Sequence, residues 1–216
     1  MDYSKNRRCS FAPIRVMTVI GEGQISVQPN NVQLQFAVIT EGTSVTETQQ
    51  ENARIMNHVI QALLSLNIPR EDIQTVTYNV IPNYDFIEGK QIFRGYEVTN
   101  AITLKIRDIS QVGRIIDIAV QNGVNRVSAI QFSIEDEDAY YQQALHLAFQ
   151  NAQQKAKTLA ETMHLPYTPY PIEILEESEQ GPIAYRSFSM DHQTLATPIE
   201  QGKITINAKL RVTFQY

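Results

Sequence analysis

Tryptophan is absent from this 216-residue chain, and cysteine occurs once, at Cys9. A lone thiol excludes an intrachain disulfide and any Cys-x-x-Cys zinc or redox pair. Long apolar runs are missing as well: pieces such as "HVIQALLSL" stop far short of the roughly 20 residues a spanning helix needs, so no membrane span is expected. Basic clusters are equally scarce. The 18 Lys and Arg are scattered among 23 Asp and Glu, for a net charge of -5. With no basic face to neutralise a phosphate backbone, nucleic acid is not an expected partner. The opening "MDYSKNRRCSFAPIRVMTVI" starts basic, as an export signal does, but Pro13 and Arg15 break the apolar run that follows. That break leads to an expected cytoplasmic location.

Motifs that carry chemistry are also lacking. His58, His146, His164 and His192 show no His-x-x-x-His or His-Glu-x-x-His spacing, so no metal site is assigned. His146 and His164 fall on one face of a predicted helix but about 27 Å apart at 1.5 Å per residue. The acidic run "EDEDAYY" has no EF-hand glycine or spacing, and its place ahead of the longest helix suits the helix dipole. No Gly-x-Ser-x-Gly elbow occurs, and Cys9 has no histidine near it in sequence. Gly21-Glu22-Gly23 follows a β-branched run, where a phosphate loop would stand, but strand rather than helix comes next. Without helix N-H groups to meet it, a phosphate has no cradle there. The two glycines are expected to permit positive φ or a bulge where strands meet. No catalytic residue, metal or cofactor is therefore assigned, and the chain reads as a non-enzyme; a site assembled only in space would leave no such trace.

What is present is a legible order of elements, with 43% hydrophobic residues to fill a core. "PIRVMTVIGEG" reads as a strand, and "NVQLQFAVIT" alternates Val32, Leu34, Phe36 and Val38 against Gln33 and Gln35. Ser44 and Glu47 form a capping box ahead of a helix with Val45, Ile55, Val59, Leu63 and Leu66 near one face, stopped by Pro69. Two strands joined at Gly89, a helix closed by Gly123 and a further strand complete 31–135 as a ferredoxin-like βαββαβ centre. A long helix over 138–164 follows, with Ala144, Ala148, Ala152, Ala156 and Ala160 recurring every fourth residue. That low ridge can dock on the chain's own sheet or form an oligomer seam. A Pro-limited strand leads to an irregular loop over 179–202, and "KITINAKLRVTFQY" closes the chain as an alternating strand.

In order and spacing, "VIGEGQISVQPNNVQLQFAV", "GYEVTNAITLKIRDISQVGRIIDIAVQNGVNRVSAIQFSIED", "QALHLAFQNAQQKAKTLAETM" and "TPIEQGKITINAKLRVTFQY" resemble the SIMPL-domain family of YggE-like proteins. The likeness runs over about 14–216, with 1–13 read as a flexible N-terminal segment. It implies an α+β oligomer former without established enzymatic activity. Bacterial members are mostly exported and linked to stress tolerance, and an animal member is an adaptor in kinase signalling. The matching positions, Gly21, Gly23, Pro29, Gly95, Tyr96, Asn100, Gly123, Pro198 and Gly202, are backbone and packing types. Gly21, Gly23, Gly95, Gly123 and Gly202 are taken as structural turns.

These observations lead to an α+β fold with a mixed or antiparallel sheet and to a self-assembling scaffold or adaptor. A homo-oligomer is expected, with contacts through Tyr185, Phe188 and Met190 of the long loop and through a strand edge, such as that of the closing strand, or the alanine ridge. Two alternatives stay open: a small-ligand binding protein using 179–202 as a lid, and an enzyme whose site is built in space.

Overall fold

Alternation in the sequence becomes alternation in burial. The computed structural model describes residues 15–177 and 197–216, which form three helices and seven strands of an α+β protein with antiparallel sheets. They fall into two compact units.

The first unit is built on β2 (Asn31–Gly42), α1 (Val45–Ser65), β3 (Ile73–Ile87), β4 (Lys90–Ile106), α2 (Val112–Gln121) and β5 (Arg126–Ser133). Its sheet runs β3-β4-β2-β5, every neighbouring pair antiparallel. Val32, Leu34 and Phe36 of β2 stand beside Ile106, Leu104 and Ile102 of β4, so one face of the central pair is a continuous apolar floor. Met56, Val59 and Leu63 of α1 and Ile115, Ile116 and Ala119 of α2 close over it. The β3-β4 hairpin turns at Glu88 and Gly89, both at positive φ (50° and 77°), as a two-residue hairpin loop requires.

Ser44 does precede α1, but its side chain makes no capping bond. The capping box is therefore corrected: Thr48 ties down this end, its backbone N-H and hydroxyl both donating to the Ser44 carbonyl at 3.0 and 2.7 Å. One turn on, Asn52 is 0% exposed, and its amide nitrogen donates to the Val38 carbonyl of β2 at 2.9 Å and the Val98 carbonyl of β4 at 3.1 Å. A polar residue in the middle of the helix's buried face thus fastens α1 to both central strands.

The second unit comprises β1 (Val16–Val27), α3 (Glu137–Thr162), β6 (Tyr170–Glu176) and β7 (Ile204–Gln215), with strand order β1-β7-β6. The backbone bond from Tyr216 to Arg15 and the hydroxyl pairs Thr18-Thr213 and Ser26-Thr205 set β1 antiparallel to β7. β7 thus lies in the middle of its sheet. The expectation that the closing strand offers an open edge is corrected: β1 lies along one side of it and β6 pairs with Leu210–Gln215 on the other.

α3 lies along β1, and the alanine ridge is what lets it lie so close. Ala144, Ala148, Ala152, Ala156 and Ala160 are all buried. Opposite them, a Cβ on Gly23 would overlap the carbonyl oxygen of Ala144, and a Cβ on Gly21 would overlap that of Ala148 and sit 2.8 Å from the Ala152 Cβ. Neither glycine has positive φ, and both lie inside β1. The expected role as a positive-φ turn or bulge is corrected: they are the places where a helix backbone meets a strand backbone with no side chain between. The ridge is occupied by this contact within the chain, which removes it as an oligomer seam.

The same approach closes the outer edge of β1. The Glu22 N-H donates to Asn151 Oδ1 at 3.2 Å, and Lys155 Nζ donates to the Ile20 carbonyl at 2.7 Å. Both β1 groups are on the edge, where an unmet N-H or C=O is a template for another strand. At the other end of the unit, Tyr141 of α3 donates its hydroxyl to Glu176 of β6 at 2.6 Å. This bond, helped by partial burial, holds the Tyr141 pKa above its ordinary 10.0. Because the folded value is the higher one, the contact's stabilisation is complete below the ordinary value and lost as pH climbs through the raised one. We expect an ultraviolet titration to show one tyrosine ionising late and Tyr141→Phe to remove that late step; an unchanged titration would contradict the assignment.

Candidate interaction surface

Of the residues singled out in the sequence, few converge. Gly95, Gly123 and Gly202 have positive φ (151°, 111° and 61°), each in a different part of the chain: within β4, after α2 and before β7. Tyr185, Phe188, Met190 and His192 lie outside the described residues, as do Cys9 and the 1–13 segment. His146 is on α3 against Gln150, whereas His164 lies past the helix end at φ 52°, so the reading that put both on one helical face is corrected. The acidic run does precede α3: Asp136 accepts from the Ala139 N-H, and Glu137 and Asp138 occupy the first turn. Among the described residues no group of three potential metal ligands comes together.

Two grooves stand out. One, of about 350 Å³, lies on the polar face of the β3-β4-β2-β5 sheet over Gln33, Gln74, Thr103 and Lys105, walled by Asp72 and Glu135. Its charges face one another. Arg107 pairs with Asp72 and with Glu135, Lys105 bonds Glu135 at 3.1 Å, and the Asp72 contact raises the Arg107 pKa. The Arg107 guanidinium and the Lys105 ammonium, each on a carboxylate, are positioned to hold strand ends together. The other, of about 550 Å³, lies between Ile25 and the Gln142, His146 and Leu147 side of α3, and is open and shallow.

The stronger feature is apolar and exposed. β4 pairs with β2 only from Tyr96 onward, so 83–95 runs on as a two-stranded β3-β4 ribbon. Cross-strand partners share a face, so the register sorts the ribbon's side chains into two sets. Tyr84, Phe86 and Phe93 stand on one face, continuous with Tyr96, while Ile81, Ile87 and Ile92 stand on the other. Tyr84, Phe93 and Tyr96 form a ladder of edge-to-face rings with centroids 5.7 and 5.2 Å apart. Phe86 is 77% exposed, Tyr84 45% and Phe93 46%. In the other sheet, edge strand β6 likewise exposes Tyr170, Ile172, Ile174 and Leu175. Sequence reading missed both edges. The signal was there in "YDFIEGKQIF", where apolar residues fall at both parities of the strand period and so cannot all face one core.

Together these features define an α+β protein of two antiparallel sheets whose unusual exposed chemistry lies along strand edges. The chain belongs to the SIMPL family, described as "Protein of unknown function (DUF541)", whose model matches residues 17–214. It is similar to the 26 kDa periplasmic immunogenic protein of Brucella melitensis, at 27% identity over 99% of this chain and 89% of that protein. The Brucella abortus protein of the same name is 26% identical over the same shares. The uncharacterized protein YggE of Escherichia coli K12 is 24% identical over 90% of this chain and 80% of its own length. These relatives correct the cytoplasmic expectation. The break at Pro13 and Arg15 concerns one short stretch, whereas the likeness to proteins named periplasmic extends over 99% of the chain.

Proposed function

We propose that this protein is a non-catalytic, self-assembling scaffold that works in the periplasm, where its Brucella relatives are named as residing. The observation that carries the reading is the contrast between edges. β1 is sealed by Asn151 and Lys155, while β3 and β6 leave large apolar side chains in solvent at the margins of their sheets. Monomeric soluble proteins rarely keep contiguous apolar surface uncovered, and exposed edges recruit strands. Tyr185, Phe188 and Met190 remain proposed contacts on residue type alone. A part in stress tolerance, as the family resemblance implies, fits a scaffold that holds other envelope components. Light scattering on the purified protein should give a mass of several chains, and a monomer at micromolar concentration would contradict the reading.

A further inference from the structure

We propose that the aromatic face of the 83–95 ribbon is the docking surface for a second copy of this chain, laid face to face about a two-fold axis. The inference rests on the self-assembly reading and names the element that performs it.

Three observations select this occupant. The first is charge. Tyr84, Phe86, Gln91 and Phe93 share the face with Pro82 and Tyr96, and none carries a carboxylate or a cation; Asp85 and Lys90 stand on the opposite side. Two identical copies of a charged face would set like charges against each other, but two copies of this face do not. The second is area. An aromatic residue offers about 150–250 Å², and at exposures of 45%, 77% and 46% the three rings leave several hundred square ångströms uncovered. From two copies that is more than half of the roughly 1,000 Å² a specific interface needs, before Pro82, Gln91 and the backbone are added.

The third observation weighs against a lipid surface. Glu88 and Lys90 flank the tip of the ribbon and the Asp85–Arg94 ion pair lies just behind them, so immersion would carry charged groups of both signs into the bilayer first. Over 90–95, β4 has β3 on one side and no β2 partner on the other. An open strand edge leaves N-H and C=O groups unmet in hydrocarbon, whereas beside another protein strand they can pair.

The test uses the full chain. Phe86→Asp, at a side chain largely in solvent, should leave the far-ultraviolet circular dichroism unchanged and reduce the solution mass about twofold or more. As a second variant, Phe86→Cys in a Cys9→Ser background should form an intermolecular disulfide under a mild oxidant. If the wild type is an oligomer, Phe86→Asp keeps its mass and Phe86→Cys does not cross-link, the ribbon is not the contact and the scaffold reading survives without it. A monomeric wild type overturns both. A wild type that floats with anionic phospholipid vesicles as a monomer, with Phe86→Asp failing to float, assigns the face to lipid and overturns the inference.

Discussion

Gly23→Ala should destabilise the protein by about 3 kcal/mol or more, measured as a shift in the denaturant midpoint at unchanged slope. A backbone that merely preferred glycine would lose about 1 kcal/mol. The larger figure follows from what the new methyl meets. At Gly23 it would overlap the Ala144 carbonyl oxygen and lie 2.6 Å from the Ala148 nitrogen, both parts of a helix backbone that cannot rotate aside. α3 must move off β1, which loosens the buried alanines and draws Asn151 and Lys155 away from the strand edge they close. Gly21→Ala meets the next turn of the same helix and should cost a similar amount. A loss below about 1 kcal/mol in either variant would show that the helix can be displaced cheaply.

Asn52→Asp should be more damaging at neutral pH and should recover in acid. The substitution replaces a buried donor by an oxygen facing the Val38 and Val98 carbonyls, formerly held at 2.9 and 3.1 Å. Ionised, the new carboxylate would be desolvated and opposed by two carbonyl dipoles, so the folded state favours the protonated acid, whose O-H can still donate to one of them. Its folded pKa therefore lies above the unfolded value of about 3.9. The folded protein then holds the proton over a range where the unfolded chain has released it. Stability relative to wild type falls as pH rises, by about 1.4 kcal/mol per unit between the two values. Denaturation of both proteins between about pH 4 and pH 7 reads this directly, and a pH-independent difference would sink the account. Asn52→Leu, which keeps volume but leaves both carbonyls without this donor, should cost about 2–4 kcal/mol with no such slope.

How much of this the sequence displays depends on the range of the interaction. The alternation of Val32, Leu34, Phe36 and Val38, the fourfold spacing of the alanines and the Glu88-Gly89 turn are written in neighbouring residues, and each is found where local periodicity puts it. The role of Gly21 and Gly23 is written in residues more than 120 positions away, so local reasoning reached for the local explanation, positive φ. Asn52 escaped notice because a polar residue on a helix face is usually wet, and only the two carbonyls above it show why this one is dry. The central position of β7 is hidden from local sequence for a related reason. An alternating strand has one buried face whether it is central or marginal, and periodicity cannot tell which strands flank it. The apolar ribbon was legible in principle, since Phe86-Ile87 and Ile92-Phe93 are adjacent pairs that must point to opposite faces.

The central place of β7 also sets an order of events during synthesis. Thr18 and Thr213 are 195 positions apart, yet they sit side by side across β1 and β7. The β3-β4-β2-β5 sheet is complete once the ribosome has made Ser133, and its hairpin and crossovers are short-range. The β1-β7-β6 sheet has no middle until Ile204–Gln215 has emerged. Until then β1 and β6 have no strand between them, and α3 can offer β1 only its helical flank. Closing so long a loop is slow compared with forming the earlier sheet, so from Ser133 onward the nascent chain carries one unit formed and the other waiting. A chaperone that binds extended apolar segments would find β1 during that interval and lose it when β7 arrives.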